Sequence, residues 1–150
     1  MKKVVAVVVV AAAGLLATAA HAQFARPEAA VKYRQSALTL MGNHMGRINA
    51  QLKSSSPNLQ AIQSSASLIE TLSKLPFEAF TPDSDLVTGT KAKPAVWKEP
   101  AKFKQAAEKF QAEAAKLATV AKGGDVKAIQ AQFGVVGQTC KACHDDFQEQ

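Results

Sequence analysis

Apolar residues recur along most of the chain at steps of three and four, the period of an amphipathic helix. Between Pro27 and Lys53 the stripe reads Arg34, Leu38, Met41, Met45, Ile48 and Leu52, and Pro27 fits the first helical position. Ser54-Ser55-Ser56-Pro57 marks a loop and a restart, with Ser56 placed to cap and Pro57 tolerated in the first turn. A second stripe, Leu59, Ile62, Ala66, Ile69 and Leu72, runs to about Leu75, where Pro76 ends it. The third segment extends from about Pro100 to Lys122 and repeats Phe103, Ala107, Phe110, Ala114, Leu117 and Ala121 before Gly123-Gly124 stops it. Asp125 is placed as the N-cap of a fourth. Its seam is Val126, Ile129, Phe133, Val136, Cys140, Cys143 and Phe147. Period-two alternation is absent. The pattern predicts an all-α, antiparallel four-helix bundle.

Residues 76–100 break this regularity with Pro76, Pro82, Pro94, Pro100 and Gly89. The stretch is longer than most bundle connections, and long loops in compact domains are often functional. Across one edge of the core is the natural place for it.

The N-terminus is a different object. Met1-Lys2-Lys3 is basic, residues 4–20 are continuously apolar or small, and Ala20-His21-Ala22 has the small-x-small form of a signal-peptidase site. Residues 1–22 are therefore expected to be a cleaved secretory signal, and residues 23–150 the mature bundle. The other reading is an uncleaved anchor, since the apolar run is at the lower edge of a spanning helix. The Ala-rich end suits a protease better than a lipid anchor. Removing 22 of the 150 residues leaves 128, and losing Lys2 and Lys3 lowers the formal charge from +6 to +4. That modest charge supports neither a nucleic-acid role nor, once the signal is cleaved, a membrane role. Export to a bacterial periplasm is the expected localisation.

Two cysteines exclude a disulfide-dense scaffold. Both stand in Cys140-Lys141-Ala142-Cys143-His144, the C-x-x-C-H pattern of c-type haem attachment. Two thiols at this spacing reach the two vinyl groups on one porphyrin edge, and the adjacent imidazole of His144 binds the iron. Three other chemistries compete. A redox C-x-x-C usually follows a strand, and this chain has none. A structural zinc site needs four ligands, and only Cys140, Cys143, His144 and distant His44 are on offer. A disulfide is poorly served by cysteines three apart on a helix. One covalent haem c, near the C-terminal helix, is the expected cofactor.

A C-x-x-C-H motif on the last helix of a four-helix bundle resembles the class II c-type cytochromes. Residues 31–41 (VKYRQSALTLM) look like the first-helix signature of cytochrome c′, as do Leu75-Pro76-Phe77-Glu78-Ala79-Phe80 and the Pro94-x-x-Trp97 step. The resemblance covers essentially all of residues 23–150. It implies a five-coordinate iron with His144 on one side and Leu38 as an apolar lid on the other. It also implies Arg34 and Gln35 in the propionate region. Leucine has no lone pair, so Leu38 cannot ligate, and the implied ligands are NO and CO discriminated against O₂.

Arg34 supports this on its own, because a charge on a buried seam wants a partner and Arg pairs well with carboxylates. Met41 and Met45 share the seam and read as core packing. His44 reads as a surface or interface residue. Lys91, Lys93 and Lys98 read as a solvated loop face. Which of the phenylalanines meet the haem is open. The resemblance further implies a homodimer packed through the first two helices. One departure stands out: the family commonly carries Arg or Lys four residues after the haem histidine, where this chain has Gln148.

Two functions follow. The first is capture of NO by a periplasmic haem protein. The second is periplasmic electron transfer to redox partners. An NO reductase or peroxidase-like enzyme needs polar distal groups, which Leu38 does not supply.

Overall fold

The computed structural model describes residues 24–149. The expected signal sequence lies outside them. Among the described residues there is no β-strand, and no helix is long and apolar enough to cross a membrane.

Four long helices carry the bundle: α1 (Pro27–Leu52), α2 (Leu59–Leu72), α5 (Pro100–Gly123) and α6 (Val126–Phe147). Two single-turn helices, α3 (Leu75–Glu78) and α4 (Ala95–Lys98), and a 3₁₀ turn, Pro82–Asp85, lie in the long connection. The ends follow local chemistry. Pro27 and Pro100 open α1 and α5, where a missing N–H costs nothing. Asp125 caps α6, its side chain accepting from the N–H groups of Lys127 and Ala128 at 2.9 and 3.2 Å. Gly124 closes α5 with φ of 75°, a left-handed conformation that favours glycine.

Two boundaries around α2 differ from the sequence expectation. Asn58, not Ser56, is the cap: its side chain accepts from Ala61 N–H at 3.0 Å. Gln51 on α1 settles the choice, because its side-chain oxygen accepts the Asn58 N–H at 2.9 Å. At the far end α2 stops at Leu72, before Pro76 is reached, and the Ser73 hydroxyl donates to the Glu70 carbonyl at 2.7 Å. Pro76 then sits inside the separate turn α3.

The core is built from the anticipated stripes. Ile48, Ile62, Ala66, Ile69, Ala114, Leu117, Ala121, Ile129 and Val136 are essentially inaccessible. Packing runs α1 on α2, α2 on α5 and α5 on α6. The pair that would close the ring, α1 and α6, barely touches. A cavity occupies that seam, and the 76–100 connection crosses its edge.

Candidate functional site

The cavity between α1 and α6 measures about 660 Å³. That is within the usual span of small-molecule sites, roughly 300–1,000 Å³. α6 contributes Cys140, Cys143 and His144 to one wall, and α1 contributes Arg34, Gln35 and Leu38 to another. All six residues singled out from the sequence therefore border one space, although the two groups are about a hundred positions apart.

Both cysteines are free and half-buried. Burial raises the thiol pKa of each. For Cys143, desolvation reinforced by the neighbouring Cys140 and Asp146 pushes it up to about 11. They are neutral thiols at physiological pH, a poor start for a redox C-x-x-C, which relies on a lowered pKa. Among the described residues no group of three or more His, Cys, Asp or Glu side chains is arranged to hold a metal ion. His44 is remote from the motif. Its Nδ1 is 3.3 Å from the Ser65 hydroxyl, between α1 and α2.

Arg34 is only 1% exposed. Its Nη1 donates to the Ala79 carbonyl at 2.9 Å and to the Ser84 hydroxyl at 2.7 Å. The guanidinium lies 4.4 Å from the centre of the Phe80 ring and 5.6 Å from that of Trp97. Nη2 is buried and has no partner. Among the described residues no carboxylate lies within ion-pair distance of it. Desolvation lowers its pKa from the ordinary value, yet an arginine does not give up its proton in a protein. A buried cation with one unsatisfied donor, at the edge of a cavity, suits an anionic group such as a carboxylate.

Gln35 donates to the Gly89 carbonyl at 3.3 Å. Gly89 has φ of 78° and turns the loop over the cavity mouth. The loop is then tied to the end of α6. Lys93 N–H donates to the Phe147 carbonyl at 2.9 Å, and Glu149 N–H to the Lys91 carbonyl at 2.8 Å, around an isolated bridge between Ala92 and Gln148. The lysine face is thus only partly solvated, since Lys93 Nζ donates to the Asp145 carbonyl at 2.9 Å.

The aromatic wall resolves a question the sequence left open. Phe77, Phe80, Phe103, Phe110 and Phe147 border the cavity, and Phe133 does not. Phe103 is the hub, with ring centroids 4.8 Å from Phe80, 5.1 Å from Phe147 and 5.7 Å from Phe77. Leu38 is 39% exposed, while Met41 and Met45 also border the cavity and Met41 is buried in the core beneath it. Sequence reasoning missed Ala79, Ser84 and Trp97 as the groups that hold Arg34. Ala79 and Trp97 stand in the motifs that carry the resemblance, but for Ser84 the one signal was the unusual length of the 76–100 connection.

These features fit a haem: an apolar cavity with an aromatic wall, two thiols in a C-x-x-C spacing, an adjacent imidazole and an unsatisfied guanidinium donor.

The sequence model of the family described as Cytochrome C' matches residues 29–148. Cytochrome c' from Rubrivivax gelatinosus is 47% identical over 128 residues, covering 85% of this chain and 99% of its own. Its crystal structure superimposes with a TM-score of 0.80, covering 85% of this chain and all of that one. Two structures from Alcaligenes xylosoxidans, each 43% identical with a TM-score of 0.78, cover 85% of this chain and 100% of theirs. One is the nitric oxide complex of a leucine-to-isoleucine variant, and the other a leucine-to-glycine variant with carbon monoxide bound.

Proposed function

Because the chain belongs to the cytochrome c′ family, we propose that it is an exported c-type haem protein that captures nitric oxide, and also binds carbon monoxide, at an apolar site under Leu38. Haem, when bound, supplies an iron that takes up diatomic gases and changes oxidation state. Cys140 and Cys143 would hold one such group through thioethers, His144 would be the protein's ligand to its iron, and Arg34, through Nη2, and Gln35 would hold its propionates.

The observation that carries this reading is the single cavity joining the three motif residues of α6 to Leu38 of α1. Leu38 offers neither a lone pair to the iron nor a hydrogen bond to a bound ligand. A polarised dioxygen gains little there, whereas NO and CO depend less on a distal donor. The gas complexes of the Alcaligenes protein support the same ligand class.

A second reading, electron transfer, draws on Met41 and Met45, whose thioethers border the same cavity. Optical spectra of the ferric and ferrous protein before and after NO and CO separate the two. High-spin spectra with gas uptake are expected. A low-spin spectrum with a methionine–iron band overturns gas capture in favour of electron transfer. Cleavage after Ala22 predicts Gln23 as the first residue of the periplasmic protein, which an intact mass checks. Leu40 on α1 and Leu68 on α2, both exposed, support a homodimer through those helices.

A further inference from the structure

Gly42 lies one turn beyond Leu38 on α1 and borders the same cavity. A Cβ built there meets nothing within 4 Å. Glycine is the poorest helix former after proline, so at mid-helix it weakens α1 where alanine would strengthen it. Gly46, one turn further on, has equally open surroundings but does not border the cavity. Leu38 borders the same cavity and is not part of the buried core. A small ligand arriving beneath Leu38 must displace its isobutyl group, and side chains four apart on a helix stand over one another.

We infer that Gly42 sets the depth of the gas pocket: the space left by its missing side chain receives Leu38 when a diatomic ligand binds. This rests on the gas-binding reading above and adds a specificity-determining residue to it. With a methyl group at position 42, Leu38 has less room to withdraw and ligand entry is obstructed. One methylene's worth of misfit in an apolar site changes selectivity by about tenfold or more.

The test compares wild type, Gly42→Ala and Gly46→Ala as ferrous holoproteins. Alanine suits a helix, so both variants should raise Tm, by roughly 2–4 °C. Stopped-flow CO association should slow about tenfold in Gly42→Ala and stay unchanged in Gly46→Ala. Crystals of the holoprotein under xenon pressure should hold a xenon atom against Gly42 in wild type and none in Gly42→Ala. If Gly42→Ala binds CO as wild type does, or Gly46→Ala slows equally, the inference is overturned while gas binding stands. A wild type lacking the xenon site also overturns it. If wild type takes up no CO, the gas-binding reading falls, and this inference with it.

Discussion

Replacing Arg34 with methionine removes the charge while keeping much of the side-chain volume. Three losses follow. The Ala79 carbonyl, in a fully buried residue, loses the Nη1 donor, which costs about 1–3 kcal/mol. The stacking on Phe80 and Trp97 accounts for about another 1 kcal/mol. If a haem carboxylate also accepts from Nη2, its buried charge is left unpaired, and breaking such a pair costs about 3–5 kcal/mol. Set against these is the relief of no longer burying a guanidinium. The carboxylate therefore decides the size of the effect: Arg34→Met should cost the holoprotein about 3–5 kcal/mol, or roughly 6–20 °C in Tm for a chain of this size. Ser84→Ala provides the scale. It deprives Nη1 of one acceptor and the Thr81 carbonyl of one donor, leaves the charge in place, and should cost about 1–2 kcal/mol. Urea unfolding of the three holoproteins, followed by circular dichroism, reads both. An Arg34→Met loss no larger than that of Ser84→Ala would refute the reasoning, because Arg34 would then be only a clip for the loop.

Two further outcomes are expected. In haem-free protein, burial favours the protonated Cys143 thiol, so alkylation should be slow at pH 8 and reach half its maximum near pH 11; a midpoint near the ordinary value of 9.0, followed by mass spectrometry, contradicts the burial argument. Gln148, four residues after His144, borders the cavity, so a basic side chain there should alter the kinetics of NO binding, and identical stopped-flow traces for wild type and Gln148→Arg would count against it.

The helices were legible because their stripes and stops are local. Pro27, Pro100, Gly124 and Asp125 act within one turn of themselves, and each does what its chemistry implies. The start of α2 was not legible, because two capping signatures stand in succession and a side chain from the preceding helix, Gln51, chooses between them. The motif residues were legible from covalent chemistry alone. The partners of Arg34 were not, since Ala79 and Ser84 reach it across 45 and 50 positions of a chain segment without a period. The aromatic wall was half legible: six phenylalanines were candidates, and Phe133, on the same seam of α6, packs against the buried core instead of the cavity.

The seam between α1 and α6 also imposes an order of assembly. Its walls come from opposite ends of the sequence, and the contacts that close its rim, Arg34 to Ala79 and Ser84 and Gln35 to Gly89, span 45 to 54 positions. Neighbouring helices can pair as soon as each hairpin is complete, but these rim contacts return nothing until a long loop has closed. The two walls themselves, about a hundred positions apart, carry the largest closure cost, so the hairpins pair before α1 meets α6, and the thiols at positions 140 and 143 stay reachable from the side of α1 until that seam closes.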